Sequence, residues 1–388
     1  MKNFLYIFLV SSLFIFSCDK EEVSENQKRD FIKFYTNYPE FSAADVVVTD
    51  NGYAILGTAK TLEGGTWISL LRTDNLGNSI DSARIYGISG DDGPANIAYC
   101  LKALDDGGFG ILGSVLNNQT GYRSAYFIRT DANGDTLFTR MISLNGDLVA
   151  RYFDVSSQGS FYMTGYFDLP GKGHQIWWFG IDDQGNGIRN QRIFGYDYAD
   201  EGNHLTILPD GRLLIAGFIT LADTARAVLI KTDENTIYVN HYESKPVADE
   251  TGNFVLPLSD IEYLLLSTSG DNSSSSLKLE NIQWNNPKPA AAWTRVYNSN
   301  DIEFGRRLIN DDQSIYILGT TSFSPSNSVI SLIRTNLSGE EQSRMEFGSG
   351  SKLSAAAFER TNDGGFIITG TNINPEANNT SVALIKIR

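Results

Sequence analysis

The residues of this 388-residue chain with most to offer a ligand stand on loops rather than in its apolar runs. Trp67 ends the loop 63–67, Tyr122 ends 117–122 and His174 ends 170–174, while Asp197, Tyr198, Asp200 and Glu201 share one five-residue stretch. Carboxylates and amides exchange hydrogen bonds with hydroxyl groups, and aromatic planes cover sugar faces, so this set suits a neutral polyhydroxylated ligand. It equally suits a protein partner, a divalent cation or a solvated acidic rim that holds nothing. Catalytic patterns are missing from the sequence. The three histidines, His174, His204 and His241, form no H-E-x-x-H motif, and no G-x-S-x-G elbow or paired-cysteine motif occurs. No catalytic residue, metal site or cofactor is therefore assigned.

The elements that must position these loops are repeats. A small residue closes an apolar run at Gly57, Gly113, Gly165, Gly217, Ser267, Gly319 and Gly370, at intervals of 50 to 56 residues. Asp-Gly turns precede most of them, as in Asp106-Gly107-Gly108-Phe109, and a second turn of Asp-x-x-Gly type follows, as in Asp131-Ala132-Asn133-Gly134. Each unit thus reads as four short strands. Seven such units predict an all-β fold, a seven-bladed β-propeller of four-stranded antiparallel blades spanning residues 30–388. The last unit contains only three strands, so the strand predicted within residues 30–36 is expected to pair with it and close the ring.

In that architecture the loops between second and third strands and the loops between units emerge on one face. This is the face that carries Trp67, Tyr122, His174 and the 197–201 stretch. A propeller glycosidase or lyase would need two carboxylates about 5 to 10 Å apart in the central funnel. The recurrent Asp74, Asp131, Asp182 and Asp233 are expected to shape turns by accepting backbone N–H groups, since one position repeated in many units argues for geometry over catalysis. The recurrent glycines are expected to permit either close backbone approach or positive φ. Adjacent Trp177 and Trp178 lie in a strand, so they face opposite ways.

Net charge is −15, from 46 acidic against 31 basic residues, and the basic residues do not cluster. Nucleic-acid binding rests on phosphate neutralisation and is not expected. Excess negative charge also repels anionic lipid headgroups. The apolar run 4–16 behind Lys2 is too short to cross a bilayer and fits a signal-peptide core over residues 1–17. Residues 18–29 are polar and aperiodic, as in a flexible tether. Only Cys100 remains beyond Cys18, so no internal disulfide can form and Cys100 is expected to be a buried free thiol.

Leu13-Phe14-Ile15-Phe16-Ser17-Cys18 resembles the lipobox of Bacteroidetes lipoproteins, and Cys18-Asp19-Lys20-Glu21-Glu22 resembles their surface-export signal. The joins between units, such as Ile85-Tyr86-Gly87, together with Asp106-Gly107-Gly108-Phe109 and Ile128-Arg129-Thr130-Asp131, resemble the repeats of uncharacterised propeller lipoproteins of that phylum. The likeness is weakest in unit five, where Ser267 replaces the glycine. It implies lipidation at Cys18 and an outer-membrane lipoprotein at the cell surface, with the periplasmic face as the alternative. The expected function is a monomeric, non-catalytic binding or scaffold module for a glycan or protein ligand. A protein–protein assembly or adhesion component is one alternative, and a glycosidase or lyase the other.

Overall fold

Strand-forming apolar alternation and Asp/Gly turns act locally, and their product is a series of up-and-down ladders. In unit two the strands Ile97–Ala103, Phe109–Leu116, Arg123–Thr130 and Thr136–Ile142 pair in sequence order, all antiparallel. The computed structural model describes residues 30–388 except 90–94, 189–190, 197, 247, 271–272, 286–287, 298–300, 349 and 375–378. Cys18 and the signal and tether segments lie outside the described residues.

Units two to five each form a separate four-stranded antiparallel sheet. The other twelve strands form a mixed sheet, in which the ladders of units six, seven and one are chained by single parallel bridges, Ser328↔Lys352 and Glu40↔Thr380. No helix occurs among the described residues.

The strand Phe31–Tyr35 adds to the last unit, running antiparallel to Asn379–Ile387 from Phe31↔Lys386 to Tyr35↔Val382. Tyr35 also donates its hydroxyl hydrogen to the Gly77 carbonyl in unit one at 2.7 Å.

Both faces of a ladder are apolar, and each is buried against the next ladder in the series. Trp177 packs with Phe127 and Phe153 between units two and three, whereas Trp178 packs with Leu205 and Leu213 between units three and four. Both indoles are fully buried, as alternation along one strand requires. Val46 and Ile55 of unit one share a cluster with Ile367 and Leu384 of the last unit. Cys100 is a fully buried free thiol.

The turn aspartates do what their spacing predicts. Asp74 Oδ1 accepts the N–H of Leu76 at 2.9 Å and of Asn78 at 2.7 Å, and Asp131, Asp182 and Asp233 bond the second and fourth residues after them in the same way. In the last such turn shown, Asn336 takes the same role.

Candidate functional site

The first strand of every unit carries one extra residue that pairs with nothing on its neighbour. These are Ala44, Tyr99, Arg151, Asn203, Asn253, Arg306 and Ala356. Each is a β-bulge, which bends a strand and re-aims a side chain. The residue before each bulge is Ala or Gly, and it lies opposite the recurrent small residue: Ala43↔Gly57, Ala98↔Gly113, Ala150↔Gly165, Gly202↔Gly217, Gly252↔Ser267, Gly305↔Gly319 and Ala355↔Gly370.

The bulge explains those glycines. A Cβ on Gly165 would sit 1.9 Å from the Val149 carbonyl oxygen, and one on Gly217 would sit 2.0 Å from that of Glu201. Close backbone approach is the requirement, since neither residue has positive φ. In unit five the exception has its own task, because the Ser267 hydroxyl donates to buried Glu250 at 2.9 Å.

All seven bulge residues line a single cavity of about 340 Å³. Arg151 pairs with Glu201 at 2.9 Å, and the other oxygen of Glu201 bonds His174 Nδ1 at 2.9 Å. The His174 ring stacks on Tyr166 at a centroid distance of 4.0 Å, and the Arg151 guanidinium lies over Tyr99 and Tyr166 at 5.5 and 5.6 Å. Burial, and then the Glu201 charge, push the Tyr166 phenol up. Glu201 is the one carboxylate among the described residues lining the cavity.

Arg306 is exposed to the cavity and has no hydrogen-bond or ion-pair partner among the described residues. The surrounding protein, and then the nearby charge of Arg151, draw its pKa below the ordinary guanidinium value. The amides are better anchored: Asn203 donates to the Gly252 carbonyl at 3.0 Å and Asn253 to the Thr268 hydroxyl at 2.7 Å.

The residues that follow the bulges form a packed border to this space. His204 lies between Tyr152 and Phe254, with ring centroids 4.1 and 3.6 Å away, and its Nδ1 accepts the Val255 N–H at 3.3 Å. Burial, reinforced by Lys102 and Arg307, holds its pKa well below the usual imidazole value, so it is neutral. Arg307 reaches across to Asp45 of unit one at 2.9 Å.

Of the residues picked out by sequence, His174 and Glu201 come together, and Glu201 lines the cavity. Asp200 is fully buried; it accepts the Thr220 N–H at 2.7 Å and the Tyr196 N–H at 2.5 Å, so it holds its loop. Tyr198 and Tyr122 are exposed, and Trp67 is half-buried opposite Ala59 in its ladder; none of the three lines the cavity. Asp197 lies outside the described residues.

Two further acids of the inter-unit joins are folded inward, while Glu63 and Asp249 stay exposed. Glu250 is buried against Lys278 at 2.8 Å, and Glu303 is buried against Arg344. The inter-unit and intra-unit loops do meet on one face: Asn96 donates its N–H to the Thr66 carbonyl and Asp200 donates to that of His174, both at 3.0 Å.

Sequence reasoning missed Tyr99, Arg151, Asn203, Asn253 and Arg306. A signal was present, since each bulge residue stands thirteen or fourteen positions before the recurrent small residue. The column before it holds only Ala or Gly, whereas the bulge column ranges from Ala to Tyr, Asn and Arg.

No family model matches the chain, and no curated protein matches it. Solved structures do. A polysaccharide lyase of family PL25, an ulvan lyase, is similar at a TM-score of 0.60 and 9% identity, over 92% of this chain and 96% of its own. The β-propeller domain of the Trilobed protease from Pyrococcus furiosus is similar at a TM-score of 0.50 and 9% identity, over 92% of this chain and 94% of its own. A puromycin hydrolase matches at a TM-score of 0.47 and 11% identity over 86% of this chain, which spans 50% of that longer protein. The antiparallel ladders and the likenesses to the ulvan lyase and the Trilobed protease domain together make the fold that of a β-propeller.

Proposed function

We propose that this chain is a lipid-anchored binding module, built as a seven-bladed propeller closed by its N-terminal strand, that holds a glycan in its central cavity without turning it over. The observation that carries the reading is the convergence of one bulge residue from every unit on a single cavity. Structural residues need no such variety: Tyr99, Arg151, Asn203, Asn253 and Arg306 offer a ring, guanidinium groups and amides where the column just before them holds only Ala or Gly.

A ring and two anchored amides suit a sugar, whose faces are apolar and whose rim is hydroxyl. The ulvan lyase of the same fold, named for a polysaccharide, supports that class. His174, Tyr122, Tyr198 and Trp67 would lengthen the contact on the loop face. The pairing of Phe31–Tyr35 with the last strand and the apolar cluster shared by units seven and one support closure. Anchoring rests on the Cys18 lipobox, and Cys18→Ala is expected to move the protein out of the membrane fraction.

The test is a glycan-array screen of wild type against Tyr99→Ala and Asn253→Ala, each at unchanged melting temperature. Binding indifferent to both substitutions refutes the site. Turnover of a bound glycan would transfer the protein to the enzyme class.

A further inference from the structure

We infer that the cavity selects an acidic glycan, seating a carboxylate or sulfate ester on Arg306 beside Arg151; this rests on the cavity being the glycan site. The chain has 46 acidic residues against 31 basic ones, so carboxylates to neutralise an interior guanidinium are plentiful. Elsewhere they are used that way: Arg307 has Asp45 and Arg151 has Glu201 beside the cavity, and Arg344 has Glu303 farther out. Arg306 has none among the described residues, yet it faces the same cavity as Arg151 and Arg307.

Arg306 keeps access to solvent, so it stands without a counter-charge among the described residues, but a second guanidinium nearby makes the positive charge there less favourable. The Arg151 charge is near enough to depress the Arg306 pKa, so the repulsion is felt. An anionic oxygen group entering between them replaces that repulsion with attraction. The planar fork of arginine matches the paired oxygens of a carboxylate or sulfate, with charge-assisted bonds about twice as strong as neutral ones. A neutral sugar would leave Arg306 uncompensated.

Glu201 does not serve as the missing partner: its two oxygens bond Arg151 and His174, and it makes no ion pair with Arg306. A cavity of about 340 Å³ is near the small end of ligand pockets and admits a sugar unit with its acidic substituent. The aromatic wall of Tyr99 and the amides of Asn203 and Asn253 favour a sugar over an acidic peptide, which would need apolar side-chain pockets.

The test is calorimetric titration of the full mature chain with matched oligosaccharide pairs: a uronate-containing oligomer and its carboxyl-reduced form, and a sulfated oligomer and its desulfated form. The acidic member is expected to bind on the order of tenfold or more tightly than its neutral counterpart. Arg306→Gln should collapse that difference, and Arg306→Lys should keep part of it. Which pair shows the larger difference tells carboxylate from sulfate. Equal affinity within both pairs, with Tyr99→Ala still abolishing binding, would leave the glycan site standing and overturn the anion assignment. Preference for a Glu-rich peptide over every oligosaccharide would overturn the glycan class, and no binding by any probe would overturn both.

Discussion

Arg307 Nη2 lies 2.9 Å from Asp45 Oδ1, although 262 positions separate the two residues. The other oxygen of Asp45 accepts the Leu101 N–H at 2.9 Å, so one buried carboxylate ties units six, one and two together beside the cavity. Asp45→Ala should cost about 3 to 5 kcal/mol, because it strands a guanidinium with little access to water. Arg307→Met should cost less, and the double variant much less than the sum of the two. Denaturant titration of all three variants checks this; additive single effects would mean that the pair does not act as a unit.

Closure predicts a contrast between two truncations. Removing residues 19–29 should leave the melting temperature unchanged. Removing residues 19–36 deletes the strand paired with Asn379–Ile387 and the Tyr35 bond to Gly77, and it should lower the melting temperature sharply. Equal melting of the two would show that the ends do not depend on each other.

The recurrent glycine can be tested in one unit. Gly165→Ala places a methyl group where the Val149 carbonyl oxygen lies, and it should cost about 3 kcal/mol through backbone displacement. Gly171→Ala meets no atom within 4 Å but has φ of +81°, so it should cost only about 1 kcal/mol. Chemical denaturation of the two variants ranks them, and the opposite ranking would remove close approach as the reason for the repeat.

Asp363 supplies a pH dependence. Burial pushes its carboxyl up, but the Thr361 hydroxyl at 2.5 Å and the Lys386 ammonium at 2.9 Å bond the charged form and bring it down to about 2. A carboxyl that is more acidic folded than unfolded adds stability above the unfolded value of about 4, and that stability is lost as pH falls through about 2. Solvent screens the half-open site, so the contribution is about 1 kcal/mol. Melting curves of wild type and Asp363→Asn should differ at pH 6 and converge near pH 2; a gap independent of pH would assign the effect to packing.

The sequence by itself determined what contacts within about fifty residues can express. Strand alternation, the Asp74-type turns and the opposed faces of Trp177 and Trp178 follow from local geometry, and the structure repeats them unit by unit. It marked the recurrent glycines and offered two reasons for them; the nearness of Val149 O to Gly165 chose close approach. Tertiary structure alone decided which acids face the cavity. Asp200, Glu250 and Glu303 look exposed in a polar loop but are buried, because each serves donors brought to it by another strand or loop. The cavity is likewise a product of assembly: a bulge shifts one residue out of the pleat in each unit, and only when the ladders stand side by side do Tyr99, Arg151 and Arg306 share one space. That juxtaposition depends on distances through space between strands some fifty to two hundred residues apart, which no local pattern of side chains encodes.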